Sequence, residues 1–300
     1  MKQNHSAKIR FLSFLSLLFS LLILCSCSVI FNNNSYSESA FQKGMLNVHF
    51  LDVGQGDSIF IELPDEKTML IDAGENYHGE GIKNYIGDCG YSEIDYLVAT
   101  HPHADHIGSM PYIVRNMDVG SVYMPKAAAN TKTYENLLES ISKKGLKITS
   151  AKEGLTIAEE SDYTINVVAP VTIDESNLNN SSAVIKLTYK NNSFLFTGDA
   201  EKKELETITA DISADVLKVG HHGSTTSTTE EFLDEVNPSY AVISAGEDNS
   251  YGHPHRETLD VLEEFNCKIY RTDIDKTVVF STDGKTISVK CGEKSIKKAG

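Results

Sequence analysis

The sequence predicts a layered α/β fold, and three observations lead to this prediction. Many short apolar runs are separated by glycine-marked turns, as expected of strands in packed sheets. Segments with a helical spacing of apolar residues lie between several of these runs. Several runs end directly in Asp or His, where the loops of layered α/β folds line a ligand crevice. With 300 residues and 40% hydrophobic content the chain can bury a sizeable core, and residues 45–291 are assigned to one domain.

The predicted elements alternate along this domain. Strands are predicted from apolar runs at 45–52, 58–63, 69–72, 94–99, 164–169, 183–189, 193–197, 215–219, 240–244, 268–271, 277–281 and 286–290. Helices are predicted from helical spacing at 82–89, 111–116, 134–144, 201–209, 229–236 and 257–265. The polar segment 174–182 is predicted to be a loop over one face. Asp283-Gly284 is typical of a hairpin turn between the last two strands.

The residues before the domain have the pattern of an export signal. Three basic residues precede an uncharged run from Phe11 to Cys25, as in a secretory signal. The run ends at Leu24-Cys25-Ser26-Cys27, which resembles a bacterial lipobox with Cys27 as the lipidated residue. An uncleaved anchor helix is the alternative, but a run of about 15 residues is shorter than the roughly 20 that span a bilayer.

These features predict the organisation and location of the chain. Residues 1–26 are predicted to be a lipoprotein signal peptide and residues 27–44 a flexible tether rich in Asn and Ser. Residues 292–300 are predicted to be a solvated basic tail. We therefore expect an extracytoplasmic domain held at the membrane by an N-terminal lipid anchor, with secretion as the alternative.

The charge balance limits the partners of this domain. The chain has a formal net charge of −15, and residues 1–26 contain three basic residues and no acidic ones. Non-specific binding of nucleic acid or anionic lipid is therefore disfavoured. A phosphodiester substrate is not excluded, because divalent ions would make a site locally positive.

The cysteines of the domain are Cys89, Cys267 and Cys291. They allow at most one disulfide, for which Cys267–Cys291 is the candidate. None of the three has the sequence spacing of metal ligands.

The segment from Thr100 to His106 is typical of a metal site. It contains three imidazoles and a carboxylate within six residues, directly after the apolar run 94–99. An isolated histidine often has no special role, but four such side chains this close together at a strand end favour metal binding. Neutral imidazole and carboxylate suit zinc, manganese or iron. The pattern indicates a metallohydrolase in which His101 and His103 face one ion, and Asp105 and His106 face a second.

Other predicted strands also end in residues that can bind metal. They are followed by Asp72, by Asp199, by His221 with His222, and by His253. One strand ending in Asp is usually structural. Several ends that carry Asp and His together indicate a shared site at one edge of the sheets.

Several of these segments resemble the metallo-β-lactamase superfamily and, within it, the C-terminal hydrolase domain of ComEC-type competence proteins. The matching segments are 51–58, 101–108, 195–199, 217–224 and 251–254, and the resemblance covers about residues 45–291. It implies a four-layer αββα sandwich with a two-metal site at one edge. The membrane-spanning channel segments of ComEC proteins have no counterpart beyond the leader, so a stand-alone lipoprotein is expected.

The resemblance also implies roles for individual residues. The implied metal ligands are His101 and His103 for the first ion, Asp105 and His106 for the second, and Asp199 as the bridge between them. Asp72 would orient one of these ligands from behind. The last ligand of the second ion is His221 or His253; His253 is favoured, with His221 or His222 as the proton donor to the leaving group. Ser224 and the residue after it would hydrogen-bond a phosphate oxygen or, alternatively, cap the following helix.

One departure from the superfamily bears on the metal. Many members place a third histidine on the first ion, but residues 107–198 contain none. The ComEC-like pattern has Asn and Ser there, matched by residues 179–182, of which Asn180 and Ser182 are candidates for binding the substrate. Such a site should bind its ion more weakly and suit Mn²⁺ better than a site with three histidines. Two divalent ions, Zn²⁺ or Mn²⁺, are expected.

The expected activity is metal-dependent hydrolysis. Two ions about 3.5–4 Å apart lower the pKa of a bridging water, and the hydroxide attacks phosphorus or a carbonyl carbon. A phosphodiesterase or nuclease is the first hypothesis, with DNA as a candidate substrate. Hydrolysis of a carboxylic ester, lactone or amide is the alternative. A binding protein without activity is disfavoured because the full set of ligands is present.

Overall fold

Two β-sheets pack face to face in the described part of the chain, which comprises residues 44–293 and 296 of a computed structural model. Helices cover the outer face of each sheet, so the layers run helix, sheet, sheet, helix. The predicted α/β class and the four-layer arrangement are confirmed.

The first sheet is built from both ends of the domain. Its strands are β1 (Leu46–Phe50), β2 (Ile59–Glu62), β3 (Thr68–Ile71), β4 (Glu93–Val98), β5 (Asp118–Met124), β6 (Ile148–Ser150), β14 (Thr277–Thr282) and β15 (Ile287–Glu293). Their order is β15-β14-β1-β2-β3-β4-β5-β6. Pairing is antiparallel from β15 to β3 and parallel from β3 to β6. The parallel strands therefore share one carboxyl edge.

The second sheet has the same change of pairing. Its strands are β7 (Leu155–Glu159), β8 (Tyr163–Ala169), β9 (Val184–Tyr189), β10 (Asn192–Phe196), β11 (Val216–Lys218), β12 (Tyr240–Ile243) and β13 (Lys268–Arg271), in the order β13-β12-β11-β10-β9-β8-β7. Strands β7 to β10 are antiparallel, and β10 to β13 are parallel. This sheet therefore also has a carboxyl edge formed by parallel strands.

Helices cover both sheets on the outside. The first sheet packs against Gly79–Asp88, Met110–Asn116 and Lys132–Lys143, and the second against Lys202–Leu205, Glu230–Val236 and Arg256–Glu264. Short helices at Ala104–Ile107 and Thr272–Asp275 and 3₁₀ turns at Leu178–Ser181 and Gly220–Gly223 complete the described elements. Two helix starts are capped by threonine side chains, Thr131 and Thr229, as is typical of N-caps.

Aromatic rings fill much of the space between the sheets. The ring centroid of Phe50 lies 5.7 Å from that of Phe280 and 6.2 Å from that of Phe196, which belongs to the other sheet. Because successive side chains of a strand point to opposite faces, β1 directs Val48 and Phe50 into this core and His49 outward.

Most predicted elements occur within a few residues of their predicted bounds. Sequence pattern misses β5, β6 and β7, because these strands carry several exposed polar residues and lack a clean apolar alternation. The helix predicted at 201–209 ends at Leu205, and the loop predicted at 174–182 contains a 3₁₀ turn. The Asp283-Gly284 turn joins β14 and β15 as expected.

The two ends of the chain differ in how much of them is described. The predicted signal peptide, the tether up to residue 43 and the lipidation site Cys27 lie outside the described residues. At the other end β15 continues to Glu293, and the buried Ile296 donates its N–H to Asp52 O at 3.0 Å. The packed part of the chain therefore extends beyond the boundary predicted at 291.

The predicted Cys267–Cys291 disulfide is wrong. Cys267 is buried before β13 in the second sheet, where its thiol donates to Pro238 O, whereas Cys291 is exposed on β15 of the first sheet. Within residues 44–293, no helix has the length and apolar character needed to cross a bilayer.

Candidate metal centre

Four strand ends meet at the carboxyl edge of the two sheets. β3 leads to Asp72, β4 to the histidine-rich loop, β10 to Asp199, and β11 to the turn that holds two histidines. The predicted residues that lie together here are Asp72, His101, His103, Asp105, His106, Asp199, His221 and His222. The expected convergence of ligand-type side chains at one edge is therefore observed.

Asp72 holds the loop after β4 from behind. This fully buried carboxylate accepts hydrogen bonds from the backbone N–H of Thr100 at 2.8 Å and from its hydroxyl at 2.6 Å. The same carboxylate lies 2.7 Å from His106 Nδ1. Because this contact fixes the ring, Nε2 of His106 is directed to the centre, as in histidines that bind metals.

The turn between β1 and β2 closes over the same loop. The N–H of Asp57 donates to Asp105 O at 3.2 Å. Gly56, which has a φ of 128°, lies so close that a Cβ there would come within 2.2 Å of the same oxygen. Only glycine allows the two backbones to come this close, so the glycine turn helps to fix the position of Asp105.

Four side chains form a cluster that we call the inner cluster: Asp105, His106, Asp199 and His222. One ligand atom from each lies within 4.8 Å of the others. Nε2 of His106 and of His222 lie 3.2 and 3.5 Å from Asp199 Oδ1, and His222 Nε2 lies 3.3 Å from Asp105 Oδ2. Two imidazoles and two carboxylates form a donor set that suits zinc or manganese.

The other oxygen of Asp199 faces a second set of side chains, the outer cluster: His101, His103 and His221. His101 Nε2 and His221 Nε2 lie 3.7 and 3.8 Å from Asp199 Oδ2. His103 Nδ1 lies 3.0 Å from His101 Nε2. His103 and His221 are partly exposed, whereas both histidines of the inner cluster are buried. Asp199 thus stands between two sets of ligand atoms, with one oxygen toward each.

Three buried atoms of the inner cluster have no hydrogen-bond partner among the described residues. They are His106 Nε2, Asp199 Oδ1 and His222 Nε2. Buried polar atoms left in this state cost about 1–3 kcal/mol each, so the three require compensation by protons or by a cation lying between them. A divalent cation bound by all three atoms provides it, and the residues therefore fit a metal ion.

The charges of the inner cluster also favour a cation. Burial opposes the charged form of His106 and His222, but the carboxylates of Asp199 and Asp105 outweigh it. They hold the pKa of His106 well above its ordinary range and raise the pKa of His222 to about 10. Burial lowers the pKa of His101 in the outer cluster. Without a metal ion, the inner cluster therefore binds protons to balance its carboxylates.

Three residues of the centre have a left-handed backbone. The φ angles are 57° at Asp72, 49° at His221 and 55° at His222. Such conformations cost non-glycine residues of order 1–3 kcal/mol and concentrate at functional sites. In the turn Gly220–Gly223 this backbone directs two successive histidines to different clusters.

A buried ion pair supports His222 from behind. Lys218 Nζ lies 2.8 Å from Asp57 Oδ2, and both side chains are buried. Nδ1 of His222 lies 2.9 Å from Ser244 O and 3.4 Å from Asp57 Oδ1. Burial would raise the pKa of Asp57, but Lys218 and His222 lower it to about 2. The sequence analysis did not predict this ion pair. The only local indication is that Lys218 is a charged residue within the apolar run 216–219.

The residues predicted to bind substrate lie beside the centre in different ways. Ser182 Oγ accepts a hydrogen bond from the backbone N–H of Asp199 at 3.3 Å, and the N–H of Ser182 donates to Glu204 Oε2. Ser182 therefore positions the shared carboxylate. Asn180 and Glu204 line a cavity of about 420 Å³ next to it.

Ser224 follows the two histidines in a tight turn. The Ser224 hydroxyl lies 3.2 Å from Thr226 Oγ1 and also accepts a hydrogen bond from the backbone N–H of Thr226. The following helix is capped by Thr229, so the alternative of a helix cap at Ser224 is wrong. Ser224 as a phosphate-binding residue stays a prediction.

The geometry offers His222 beside His253, which the resemblance favours as the last ligand, and the assignment of that ligand stays a prediction. The described group of atoms within 4.8 Å of one another contains His222 and not His253. The His253 ring lies beside His221 and His222, with centroids 5.6 and 6.3 Å away. His222 lies in the group because of the left-handed turn, which directs it inward and which residue spacing does not reveal.

Comparison with known proteins identifies the family. Residues 51–247 match the family described as Metallo-beta-lactamase superfamily. The chain belongs to the metallo-β-lactamase superfamily. This assignment agrees with the fold, with the loop after β4 and with the cluster of possible ligands at the sheet edge.

Curated relatives of this metallo-β-lactamase superfamily member include ComEC-type competence proteins. The chain is 34% identical over 253 residues to ComE operon protein 3 of Bacillus subtilis (strain 168), covering 78% of this chain and 32% of that protein. It is 28% identical over 251 residues to Competence protein ComA of Neisseria gonorrhoeae, covering 82% and 34%. The chain thus spans about a third of these relatives, and the resemblance seen in the sequence is confirmed.

A solved structure supports the same fold at much lower identity. Igni18, described as a novel metallo hydrolase from the hyperthermophilic archaeon Ignicoccus hospitalis, aligns with a TM-score of 0.51 and 17% identity. The alignment covers 78% of this superfamily member and 98% of that chain. At this identity the likeness shows the fold.

Proposed function

We propose that this superfamily member is a dinuclear metal-dependent phosphodiesterase that cleaves DNA. The observation that carries the proposal is the position of Asp199, whose two oxygens face the inner and outer clusters separately. A carboxylate between two sets of ligand atoms is expected of a two-metal site, which many phosphatases and nucleases use.

Each cluster would hold one divalent ion, Zn²⁺ or Mn²⁺. The ligands of the inner ion would be Asp105, His106, His222 and Asp199, and those of the outer ion His101, His103 and Asp199. Bound there, the ions would supply Lewis acidity and a nucleophilic hydroxide at neutral pH. The outer cluster has fewer ligands from the protein, which leaves room for substrate oxygens.

His221 is the best candidate for the proton donor to the leaving group. Its Nδ1 lies 3.4 Å from Glu201 Oε1 and 3.1 Å from Thr226 Oγ1, while Nε2 lies 3.8 Å from Asp199 Oδ2. Glu201 is itself fixed by side-chain amides of Asn177 and Asn179 at 2.8 and 3.2 Å. These contacts orient the His221 ring, and because the ring is partly exposed it can reach a bound substrate.

The choice of a phosphodiester rests on the relatives and on charge. Two of the relatives are ComEC-type competence proteins, which connects this hydrolase fold with DNA. The net charge of −15 disfavours non-specific DNA binding, so affinity for DNA should come mainly from the bound ions. Export as a lipoprotein through Cys27 is part of this proposal, because it would place the centre where external DNA arrives.

Cleavage of DNA by the purified full chain tests this proposal. Single- and double-stranded DNA is incubated with metal-free, Zn²⁺-loaded and Mn²⁺-loaded protein, beside the variant Asp105→Asn. The control is Asp118→Asn, which removes one exposed carboxylate charge at the amino end of β5, the end opposite the carboxyl edge that carries the ligands. We expect metal-dependent cutting in the wild type and in the control, and its loss in Asp105→Asn.

Two outcomes would contradict the proposal. Intact DNA with two ions bound per chain would exclude the nuclease, and aryl phosphodiesters would then be the next substrates to test. Hydrolysis of carboxylic esters or lactones without any phosphodiesterase activity would establish the alternative reaction class.

A further inference from the structure

A second group of metal-ligand side chains lies on the outer face of the first sheet, away from the metal centre. His49 on β1 and Glu62 on β2 share that face, because His49 lies opposite Phe60 and Glu62 two residues further along the same strand. Cys89 follows the helix Gly79–Asp88, which covers the face. One ligand atom from each of His49, Glu62 and Cys89 lies within 4.8 Å of the others.

We infer that His49, Glu62 and Cys89 form a third metal site of the chain, a mononuclear zinc site that joins β1 and β2 to the helix above them. An imidazole nitrogen, a carboxylate oxygen and a thiolate sulfur are the three ligand types that zinc accepts in proteins. The thiolate distinguishes this site from the metal centre, where the possible ligands are imidazoles and carboxylates only.

The contacts of His49 match those of a metal-binding histidine. Nδ1 lies 2.9 Å from the hydroxyl of Tyr85, and Nε2 lies 2.8 Å from Glu62 Oε1. A partner at one ring nitrogen fixes the ring so that the other faces the ion. Around a tetrahedral ion, ligand atoms lie about 3.3 Å apart, so His49 and Glu62 would separate by about half an ångström.

Burial and charge explain why an ion is favoured there. His49 and Glu62 are buried, at 6% and 5% exposure, in a layer formed mainly by apolar side chains and tyrosine rings. A divalent ion with one carboxylate and one thiolate forms a neutral group, so its binding leaves no net charge buried. On binding, the S–H bond of Cys89 breaks, an Sγ–metal bond forms, and that proton leaves to solvent. The proton between His49 Nε2 and Glu62 moves to Nδ1, which then donates to the Tyr85 hydroxyl and leaves Nε2 for the ion.

The position of Cys89 allows the ion to enter from solvent. Cys89 is partly exposed, unlike the other two ligands, and stands where the helix ends and the chain turns toward β4. The fourth ligand of a tetrahedral ion would then be a water molecule on this side. Sequence spacing does not reveal the site, because the three residues come from three separate elements.

Cobalt substitution tests this inference, since a Co²⁺–thiolate bond gives a near-ultraviolet charge-transfer band that imidazole and carboxylate ligands do not. The reference protein is the full chain with Cys25, Cys27 and Cys291 replaced by Ser, which leaves Cys89 and the buried Cys267 as its thiols. With Co²⁺ in excess over all sites, we expect a band with the intensity of one Co²⁺–thiolate bond per chain, and its displacement by Zn²⁺, which divalent sites generally bind more tightly than Co²⁺.

Variants of the reference protein decide the outcome. Cys89→Ser should abolish the band, and His49→Gln should raise the Co²⁺ concentration needed for it by at least about tenfold. Asp199→Asn, which alters the metal centre, should leave the band unchanged. The circular dichroism of Cys89→Ser should match that of the reference and exclude misfolding. Absence of the band from the reference, its persistence in Cys89→Ser or its loss in Asp199→Asn would overturn the inference.

Discussion

The inner and outer clusters share Asp199 but are supported in different ways. In the inner cluster both histidines are buried, and each has its second ring nitrogen held, His106 by Asp72 and His222 by Ser244 and Asp57. In the outer cluster His103 and His221 are partly exposed. Fixed ligands bind an ion tightly, whereas exposed ones allow exchange. We therefore expect a tightly held inner ion and an exchangeable outer ion that meets the substrate.

The supports of the inner cluster and of the shared Asp199 differ in charge as well. The inner cluster is supported by the ionised pair Lys218–Asp57. The shared Asp199 is supported by Ser182, whose hydroxyl accepts from the Asp199 N–H and whose own N–H donates to the carboxyl of Glu204. Burial raises the pKa of Glu204 to about 9, so this carboxyl is neutral at pH 7. A charged support and a neutral one should respond differently to substitution and to pH.

The largest effect is expected where the clusters join. Asp199→Asn removes the carboxylate that faces both sets of ligands, so hydrolysis should fall by about 10³-fold or more while the fold is retained. Steady-state kinetics and metal analysis of the purified protein measure this loss. Retention of both ions with activity near that of Asp118→Asn would contradict the shared role of Asp199.

The next effect is expected at the charged support. Lys218→Met leaves the Asp57 carboxylate buried without its partner, which should lower the free energy of unfolding by about 3–5 kcal/mol. Urea denaturation of the apoprotein measures this change. Asp57→Asn together with Lys218→Met should recover much of the loss, because no uncompensated charge then stays buried. A single substitution that changes stability by less than about 1 kcal/mol would show that the pair is not structural.

A smaller effect should separate the two clusters from each other. His222→Ala should weaken the tight ion by at least about tenfold, and His103→Ala should weaken the exchangeable one. Isothermal titration of each variant with Zn²⁺ resolves the two ions. His253→Ala provides the comparison, since the sequence favours it as the ligand. If His253→Ala removed the tight ion and His222→Ala did not, the description of the inner cluster would be incorrect.

The smallest effect is expected at the neutral support. The pKa of Glu204 in the folded protein, about 9, exceeds the value of 4.5 for an ordinary glutamate. The folded state therefore binds one more proton than the unfolded state between these values, and this group makes stability fall as pH rises through that window. In Glu204→Gln that contribution is absent, so melting temperatures from pH 5 to pH 9 should decline less. Identical pH profiles for the two proteins would contradict a neutral Glu204.

Local sequence predicts the parts of the site that are contiguous in the chain. The loop from His101 to His106 and the short run ending at Asp199 carry their ligands within a few residues of a strong apolar strand. Strand position and ligand identity therefore appear together in one segment. The missed strands β5, β6 and β7 are half exposed or lie near sheet edges, where the apolar pattern that identifies a strand is weak.

The roles of residues that act through contacts distant in sequence cannot be predicted from local sequence. Asp57 and Lys218 are 161 positions apart in the sequence, and nothing local connects a glycine turn with a lysine in another sheet. The ligand position of His222 depends on the φ angles of two successive residues, which spacing between histidines does not encode.

By itself, the sequence determined the α/β class, the family resemblance and most of the ligand set, because periodicity and compact motifs are local properties of the chain. Only the tertiary structure decided that His222 lies in the inner cluster, that Lys218 is neutralised by Asp57, and that His49, Glu62 and Cys89 meet. These features depend on strand pairing, on a strained turn and on helix packing, which bring together side chains from separate segments of the chain.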